Sequence, residues 1–194
     1  MLNIVLFGAP GAGKGTQAVM LAKKHDLVHL STGDILRKEL SAGTELGKQA
    51  KTYMDKGEFV PDEVVIGMIR SQIEQNPDAK GFIFDGFPRT TAQAEALDIM
   101  LSKKELKITS MIALEVEHQE LVNRLMKRGE SSGRSDDQSL DVINNRIDVY
   151  HQKTTPLISY YHDQGKYHPI NGVGDIMEIF ERLSLYVVEL KKIL

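Results

Sequence analysis

LNIVLFGAPGAGKGTQ, residues 2–17, runs from a short apolar stretch rich in strand formers into a loop with four glycines. A strand, a glycine loop and a helix in this order can aim backbone N–H groups and a helix N-terminus at phosphate. Gly8, Gly13 and Lys14 fit the phosphate-loop pattern G-x-x-x-x-G-K-[ST]. Gly15 stands where a Ser or Thr normally holds Mg²⁺, and Thr16 comes one residue late. The stretch is therefore a chance glycine cluster, an impaired loop, or a loop built for a different nucleotide arrangement.

The composition is that of one globular domain. The chain has 194 residues, of which 41% are hydrophobic and 26% charged, enough for one sizeable core. The net charge of −3 argues against binding to nucleic acid or to an acidic membrane. No cysteine is present, which excludes disulfides and cysteine-ligated zinc. The first apolar run is too short for a signal peptide or a membrane span, so we predict a cytoplasmic protein.

Strands alternate with helices along the chain. This alternation predicts an α/β fold, a three-layer sandwich with a parallel central sheet covered on both faces, formed by a single domain over residues 1–194. Two segments, 31–60 and 129–137, are predicted to leave the core, the second as a polar loop. Helices are predicted from Lys14 to His25, over most of 33–76 with breaks near Gly43 and at 57–62, from Thr91 to Leu101, over 118–128, over 139–163 with a disturbance at Pro156, and over 175–190. Strands are predicted within 3–7, 27–32, 81–89, 108–116 and 166–172.

Asp85 ends a predicted buried strand, FIFD, and should lie on the same sheet edge as the glycine loop. This is the expected position for a carboxylate that faces a metal ion. If Asp85 holds Mg²⁺ through water, no loop hydroxyl is needed as a ligand, because Mg²⁺ readily keeps several waters. A cap of the following turn is an equally plain interpretation of Asp85 taken alone.

The arginines indicate phosphate binding more clearly than Asp85 does. The chain has eight arginines against sixteen lysines, and six of the eight lie beside motifs. A guanidinium can grip a phosphate through two parallel hydrogen bonds. Arg124 and Arg128 are four residues apart and should share one helix face. The alternative for each arginine is a solvated surface position.

Four motifs occur together and in order: GAPGAGKGTQ at 8–17, STGDILR at 31–37, DGFPRTTAQ at 85–93 and GRSDDQ at 133–138. With them the chain resembles the adenylate kinases, of the nucleoside monophosphate kinase family, over essentially its whole length. In that family the loop reads G-x-P-G-x-G-K-G-T, so Gly15 and Thr16 stand as in its members. The resemblance implies a helical insert over 31–60 that binds the nucleoside monophosphate and a short lid over 129–137. It also implies a monomer that catalyses Mg·ATP plus AMP giving two ADP, reversibly.

The resemblance further implies a role for each matching residue. The catalytic residues would be Lys14, Asp85, Arg89, Arg124, Arg128, Arg134 and Arg146, with Asp85 holding Mg²⁺ through water. The residues for ATP would be Gly11, Ala12, Gly13, Lys14, Gly15, Thr16, Arg128 and Gly174. The residues for AMP would be Thr32, Arg37, Glu58, Phe59, Val60, Gly86, Phe87, Pro88, Arg89, Gln93, Arg134 and Arg146.

Gln93 favours AMP over other acceptors. Its amide offers one donor group and one acceptor, which matches the N1/N6 edge of adenine. Uridylate–cytidylate kinases, which resemble the chain throughout, usually carry asparagine in that region, and they are the alternative function. A nucleotide-binding protein without turnover would normally have lost Lys14 or the lid arginines, and neither is lost. A nucleotide-regulated switch protein would need a guanine-reading N-K-x-D motif, which is absent. The short lid without cysteine predicts no zinc, and the six histidines are interpreted as structural or solvated.

Overall fold

The computed structural model describes residues 1–193 and contains a five-stranded sheet in which all neighbouring strands are parallel. The strands are β1 Leu2–Phe7, β2 Val28–Ser31, β3 Gly81–Asp85, β4 Ser110–Glu115 and β5 Tyr167–Asn171. Their order in the sheet is β2-β3-β1-β4-β5. This confirms the predicted α/β fold with a parallel central sheet.

Helices cover both faces of the sheet. Alternate strand residues point to opposite faces, so Ile4 and Leu6 enter one buried cluster while Val5 and Phe7 enter another. The helices are α1 Lys14–His25, α2 Thr32–Ser41, α3 Glu45–Met54, α4 Asp62–Glu74, α5 Thr91–Ser102, α6 His118–Ser132, α7 Leu140–Val149, α8 Leu157–His162 and α9 Ile176–Lys192. The first cluster is completed by α1, α6, α7 and α9, and the second by α2, α3, α4, α5 and α8.

The strand order fixes where a ligand can bind. The chain proceeds from the central strand β1 to one side of the sheet for β2 and β3, and to the other side for β4 and β5. The crevice at the carboxyl end of the strands, where the order changes direction, is the usual ligand site of such sheets. The glycine loop leaves β1 there, and the register pairs Leu6 of β1 with Asp85 of β3. The predicted approach of Asp85 to the loop is therefore confirmed.

The segment 129–137 differs from the predicted loop. Helix α6 continues to Ser132 and ends where Gly133 turns left-handed, with a φ of 64°, and Ser135–Asp137 then form a short 3₁₀ turn. Gly129 is buried in α6, and a Cβ at this position would overlap the carbonyl oxygen of Asp137. The loop prediction was wrong for 129–132 because the glycine serves a close backbone contact there rather than a chain break. Gly129 is therefore not the pliable point that a loop would provide.

The predicted helix over 139–163 is divided in two. Helix α7 ends at Val149, a wide turn spans Tyr150–Thr154, and α8 begins at Leu157. The amide of Thr155 donates to the carbonyl oxygen of Tyr150, five residues earlier, at 3.0 Å. Pro156 has no N–H with which to continue the helical ladder, so the disturbance predicted at this proline is confirmed and extends over the preceding turn. Within residues 1–193, none of the helices combines the length and the apolar character that crossing a membrane would require.

Candidate active site

The glycine loop between β1 and α1 leaves the start of the helix open. Gly13 precedes α1 with a φ of 91°, a left-handed conformation that favours glycine, and no side chain caps the helix. The first N–H groups of an α-helix have no partners within the helix, and its N-terminus carries a partial positive charge. The start of α1 can therefore bind an anion.

Lys14 lies directly at this anion site. Its Nζ donates to the carbonyl oxygens of Gly8 at 2.7 Å and Ala9 at 3.0 Å. Burial lowers the pKa of Lys14 to about 8; Asp85 opposes this effect, and Arg89 adds to it. The surroundings of the Lys14 ammonium thus carry too little negative charge to keep its pKa at the usual value. A phosphate bound at the loop would supply that charge.

Asp85 lies beside the beginning of α1 and in contact with a histidine. A Cβ built on Gly15 would lie 3.5 Å from Asp85 Oδ2, so glycine at this position leaves space next to the carboxylate. His29 Nε2 lies 3.4 Å from the same oxygen. His29, interpreted from the sequence as structural or solvated like the other five histidines, therefore contacts a residue predicted to belong to the site. This contact follows from the pairing of β2 with β3, and no sequence motif predicts it.

Five of the six arginines noted in the sequence line one cavity of about 490 Å³, together with Lys14 and Asp85. Arg89 shows how crowded these cations are. Burial lowers its pKa to about 10, and the nearby positive charge of Arg146 contributes to the shift. A polyanion in the cavity would relieve this repulsion. The five are Arg37, Arg89, Arg128, Arg134 and Arg146.

Asp137 holds two of these arginines in place, a role that the sequence analysis missed. Arg128 donates to both of its carboxylate oxygens, at 2.6 and 3.0 Å, and Arg146 donates to Oδ1. Burial alone would raise the pKa of Asp137, but the hydrogen bond from Arg128 and the charge of Arg146 bring it below its ordinary value. The signal available in the sequence was the acidic pair Asp136-Asp137 next to Arg134 in a motif already noted.

The other half of the cavity is built from the segments 31–60 and 85–93. Thr32 Oγ1 and Arg89 Nε both donate to the carbonyl oxygen of Gly86, at 2.8 and 2.7 Å, which ties α2 to the turn after β3. Arg37 Nη2 lies 2.5 Å from Asp34 Oδ1. All twelve residues assigned to AMP from the sequence line this cavity.

Three assigned residues do not line it: Ala12, Arg124 and Gly174. Arg124 Nε donates to Glu120, one turn earlier in α6, at 2.7 Å, and Nη1 donates to the carbonyl oxygen of Gly172 at 3.1 Å. The structure thus separates Arg124 from Arg128, which pairs with Asp137. A shared helix face did not bring the two guanidinium groups together, because each has its own anchor.

Segments 31–60 and 129–137 lie on opposite sides of the cavity and touch. Ser135 Oγ donates to Asp55 Oδ1 at 3.0 Å, and Arg134 Nη2 lies 3.9 Å from Asp34 Oδ1. Asn145, in helix α7 after the second segment, donates to the carbonyl oxygen of Lys56 at 2.6 Å. The two excursions from the core therefore meet over the arginine cluster.

Comparison with known proteins gives a single result. The family model described as "Adenylate kinase" matches residues 6–166. The chain is 56% identical to the adenylate kinase of Flavobacterium psychrophilum over 184 residues, covering 95% of this chain and 97% of that relative. It is 51% identical to that of Parabacteroides distasonis over 191 residues, covering 98% and 100%. It is 48% identical to that of a Synechococcus species over 184 residues, covering 95% of each chain.

Proposed function

Since the chain belongs to the adenylate kinase family, it transfers a phosphoryl group from ATP to AMP, and we propose that its arginine-lined cavity is the place of transfer. One observation carries this proposal. Lys14 and five arginines face a single cavity at the carboxyl end of the sheet, beside the uncapped start of α1. Positioning and neutralisation of phosphate charge are the main tasks of a phosphoryl-transfer enzyme, and this cavity supplies both.

The donor phosphates are assigned to the loop side. The N–H groups at the start of α1, from Gly13 to Thr16, would bind the anionic oxygens, and Lys14 would exchange the Gly8 and Ala9 carbonyls for phosphate. Arg128 reaches the same space from α6. Gly174, outside the cavity lining, is assigned to the remainder of ATP, and Arg124, also outside it, keeps its catalytic assignment. Arg124 bonds to Gly172, two residues from Gly174, which supports a common location.

The acceptor is assigned to the other half. Thr32, Arg37 and the residues from Glu58 to Val60 would hold AMP from segment 31–60, with Gly86 to Arg89 and Gln93 opposite them. The phosphate of AMP is already ionised and nucleophilic, so no protein base is required. Arg134 and Arg146 would neutralise charge on the moving phosphoryl group. Segments 31–60 and 129–137 would thus act as monophosphate-binding insert and lid.

Mg²⁺ fits this site through Asp85. Mg²⁺ is usually held by one or two carboxylates together with substrate phosphates and water, and Asp85 is a buried carboxylate on the cavity wall next to Gly15. The ion would neutralise phosphate charge. The cysteine-free sequence supports the absence of structural zinc. We expect activity to require Mg²⁺ and elemental analysis to find no stoichiometric zinc. One zinc per chain, whose removal unfolds the lid, would contradict this.

We expect AMP to be a much better acceptor than UMP, CMP or GMP with Mg·ATP as donor. Gln93 is the reason, since it is 1% exposed and lines the acceptor half of the cavity, where a mismatched base leaves polar groups unpaired. A coupled ADP-release assay that compares the four acceptors measures kcat/KM for each. Equal or better use of UMP or CMP would favour the pyrimidine alternative.

We also propose a monomer that works in the cytoplasm on free nucleotides, without nucleic acid or membrane partners. The net charge of −3 supports the absence of nucleic acid, and residues proposed for both substrates line one cavity of one chain, which supports the monomer. Size-exclusion chromatography with light scattering should give about the 21.7 kDa of one chain. A dimer mass at working concentration would contradict the monomer.

A further inference from the structure

Gln93 is held at both ends of its side-chain amide. Nε2 donates to Asp62 Oδ1 at 2.7 Å, and Oε1 accepts from the backbone N–H of Arg89 at 2.7 Å. Asp62 is the first residue of α4 and does not line the cavity, whereas Gln93 does. Asp62 therefore stands behind Gln93, on the side away from the ligand.

Asp62 is itself fixed by a second contact. Thr90 Oγ1 donates to Asp62 Oδ2 at 2.9 Å and accepts from the backbone N–H of Gln93 at 3.2 Å. Both carboxylate oxygens of Asp62 are thus engaged. The Asp62–Thr90–Gln93 network links the start of α4 to the start of α5, next to the cavity.

The chemistry of the partners decides which way the Gln93 amide faces. A carboxylate only accepts hydrogen bonds, so it must meet the NH₂ group, and a backbone N–H only donates, so it must meet the oxygen. A flipped amide would put oxygen against oxygen at Asp62 and N–H against N–H at Arg89. Each group would lose its partner in a buried place, which is costly.

We propose that Asp62 locks the amide of Gln93 in one orientation. The acceptor site therefore selects adenine over purines in which the donor and the acceptor at positions 1 and 6 are exchanged. The lock leaves one N–H and one oxygen lone pair of Gln93 for the cavity, in a fixed order. Adenine presents an acceptor at N1 and a donor at N6, whereas hypoxanthine and guanine present a donor at N1 and an acceptor at O6. To pair with hypoxanthine or guanine, Gln93 would need the flipped amide. This inference rests on the proposed acceptor role of Gln93.

A purely structural role for Asp62 is the competing interpretation. An acid in the first turn of a helix stabilises the helix dipole, and Asp62 and Glu63 both have this position in α4. The dipole explains neither the two contacts to Gln93 and Thr90 nor the burial of Gln93. Glu63 is exposed, so Glu63→Gln removes the same charge from the same turn without touching the network.

The test compares AMP with IMP, because these acceptors differ at the edge in question without the 2-amino group of GMP. Wild-type protein should prefer AMP by about 10²-fold or more in kcat/KM. Asp62→Asn, which can offer Gln93 either an oxygen or an NH₂ group, should narrow the AMP/IMP ratio about tenfold. Its KM for ATP should stay unchanged, and Glu63→Gln should keep the wild-type ratio.

An AMP/IMP ratio in Asp62→Asn within twofold of wild type would overturn the proposal, even if activity fell equally with both acceptors. Gln93→Leu separates this failure from that of the proposed function: if it leaves AMP use unchanged, Gln93 is not in the acceptor site. If a variant fails to fold, an NMR measurement on the wild-type protein still tests the proposal. By NMR, the Gln93 side-chain NH₂ protons should exchange slowly with water, because Nε2 is buried and donates to Asp62. Exchange as fast as that of an exposed glutamine side chain would also overturn the lock.

Discussion

Lys14→Met should fold normally and lose about 10²-fold or more in kcat, because in the proposed role of Lys14 its ammonium neutralises charge that moves during phosphoryl transfer. Nζ is held by the Gly8 and Ala9 carbonyls at the start of α1, within the cavity that also contains the arginines. Methionine keeps the length of the side chain and removes its charge. Steady-state kinetics with saturating Mg·ATP and AMP measures the loss.

Lys23→Met is the matched control, since Lys23 is an exposed lysine on the same helix and its loss should leave kcat unchanged. The wild-type pH profile provides a second readout. With the pKa of Lys14 lowered to about 8 by burial, kcat/KM for ATP should fall as the pH rises above about 8, because the neutral amine no longer pairs with phosphate. Arginine stays protonated, so Lys14→Arg should lack this fall. Near-wild-type turnover of Lys14→Met would show that the lysine is not catalytic.

Asp137→Asn should lose about 10-fold to 10²-fold in kcat and destabilise the fold by about 2–4 kcal/mol. Its carboxylate is fully buried and binds both Arg128 and Arg146, so the change leaves two guanidinium groups without their common anchor. Arg128 is 34% exposed, which places the loss of stability below that of a wholly buried pair. Urea unfolding and steady-state kinetics measure the two effects.

Asp141→Asn removes an equal charge from an exposed position in the first turn of α7 and should change neither kcat nor stability.

The pH dependence of stability follows from the depressed pKa of Asp137. The carboxylate stabilises the fold above its unfolded-state pKa, and this contribution is lost as the pH falls through the lower folded-state pKa. Wild-type kcat in Asp137→Asn would mean that the arginines do not depend on this anchor.

The sheet and the phosphate loop could be predicted from local pattern. Apolar strand residues alternating with amphipathic helices leave few topologies other than a parallel sheet. That topology places Asp85 beside the glycine loop, as the register of β1 with β3 confirms. These features depend on periodicity and on the carboxyl-edge rule, both of which a single sequence displays.

The remaining features depend on contacts between distant residues. His29 reaches Asp85 because β2 pairs with β3. Helix α6 extends to Ser132 because Gly129 packs against the backbone of Asp137, a contact that outweighs the loop-like composition. Arg124 is drawn to Glu120 and Gly172 rather than to the arginine cluster. Spacing offers Arg124 the pair with Glu120, four residues earlier, but it carries no information on the partners of His29 and Gly129.

We expect segments 31–60 and 129–137 to close over one cavity that holds both nucleotides. Ligand-driven closure needs differential affinity, which arginine–phosphate pairing supplies, and it excludes water from the transferred phosphoryl group. Hydrogen exchange in the presence of an analogue that joins two adenosines through phosphates tests this most directly. We expect protection of both segments, with ATP alone protecting mainly 129–137 and AMP alone mainly 31–60. Identical exchange in both segments with and without the analogue would contradict the account.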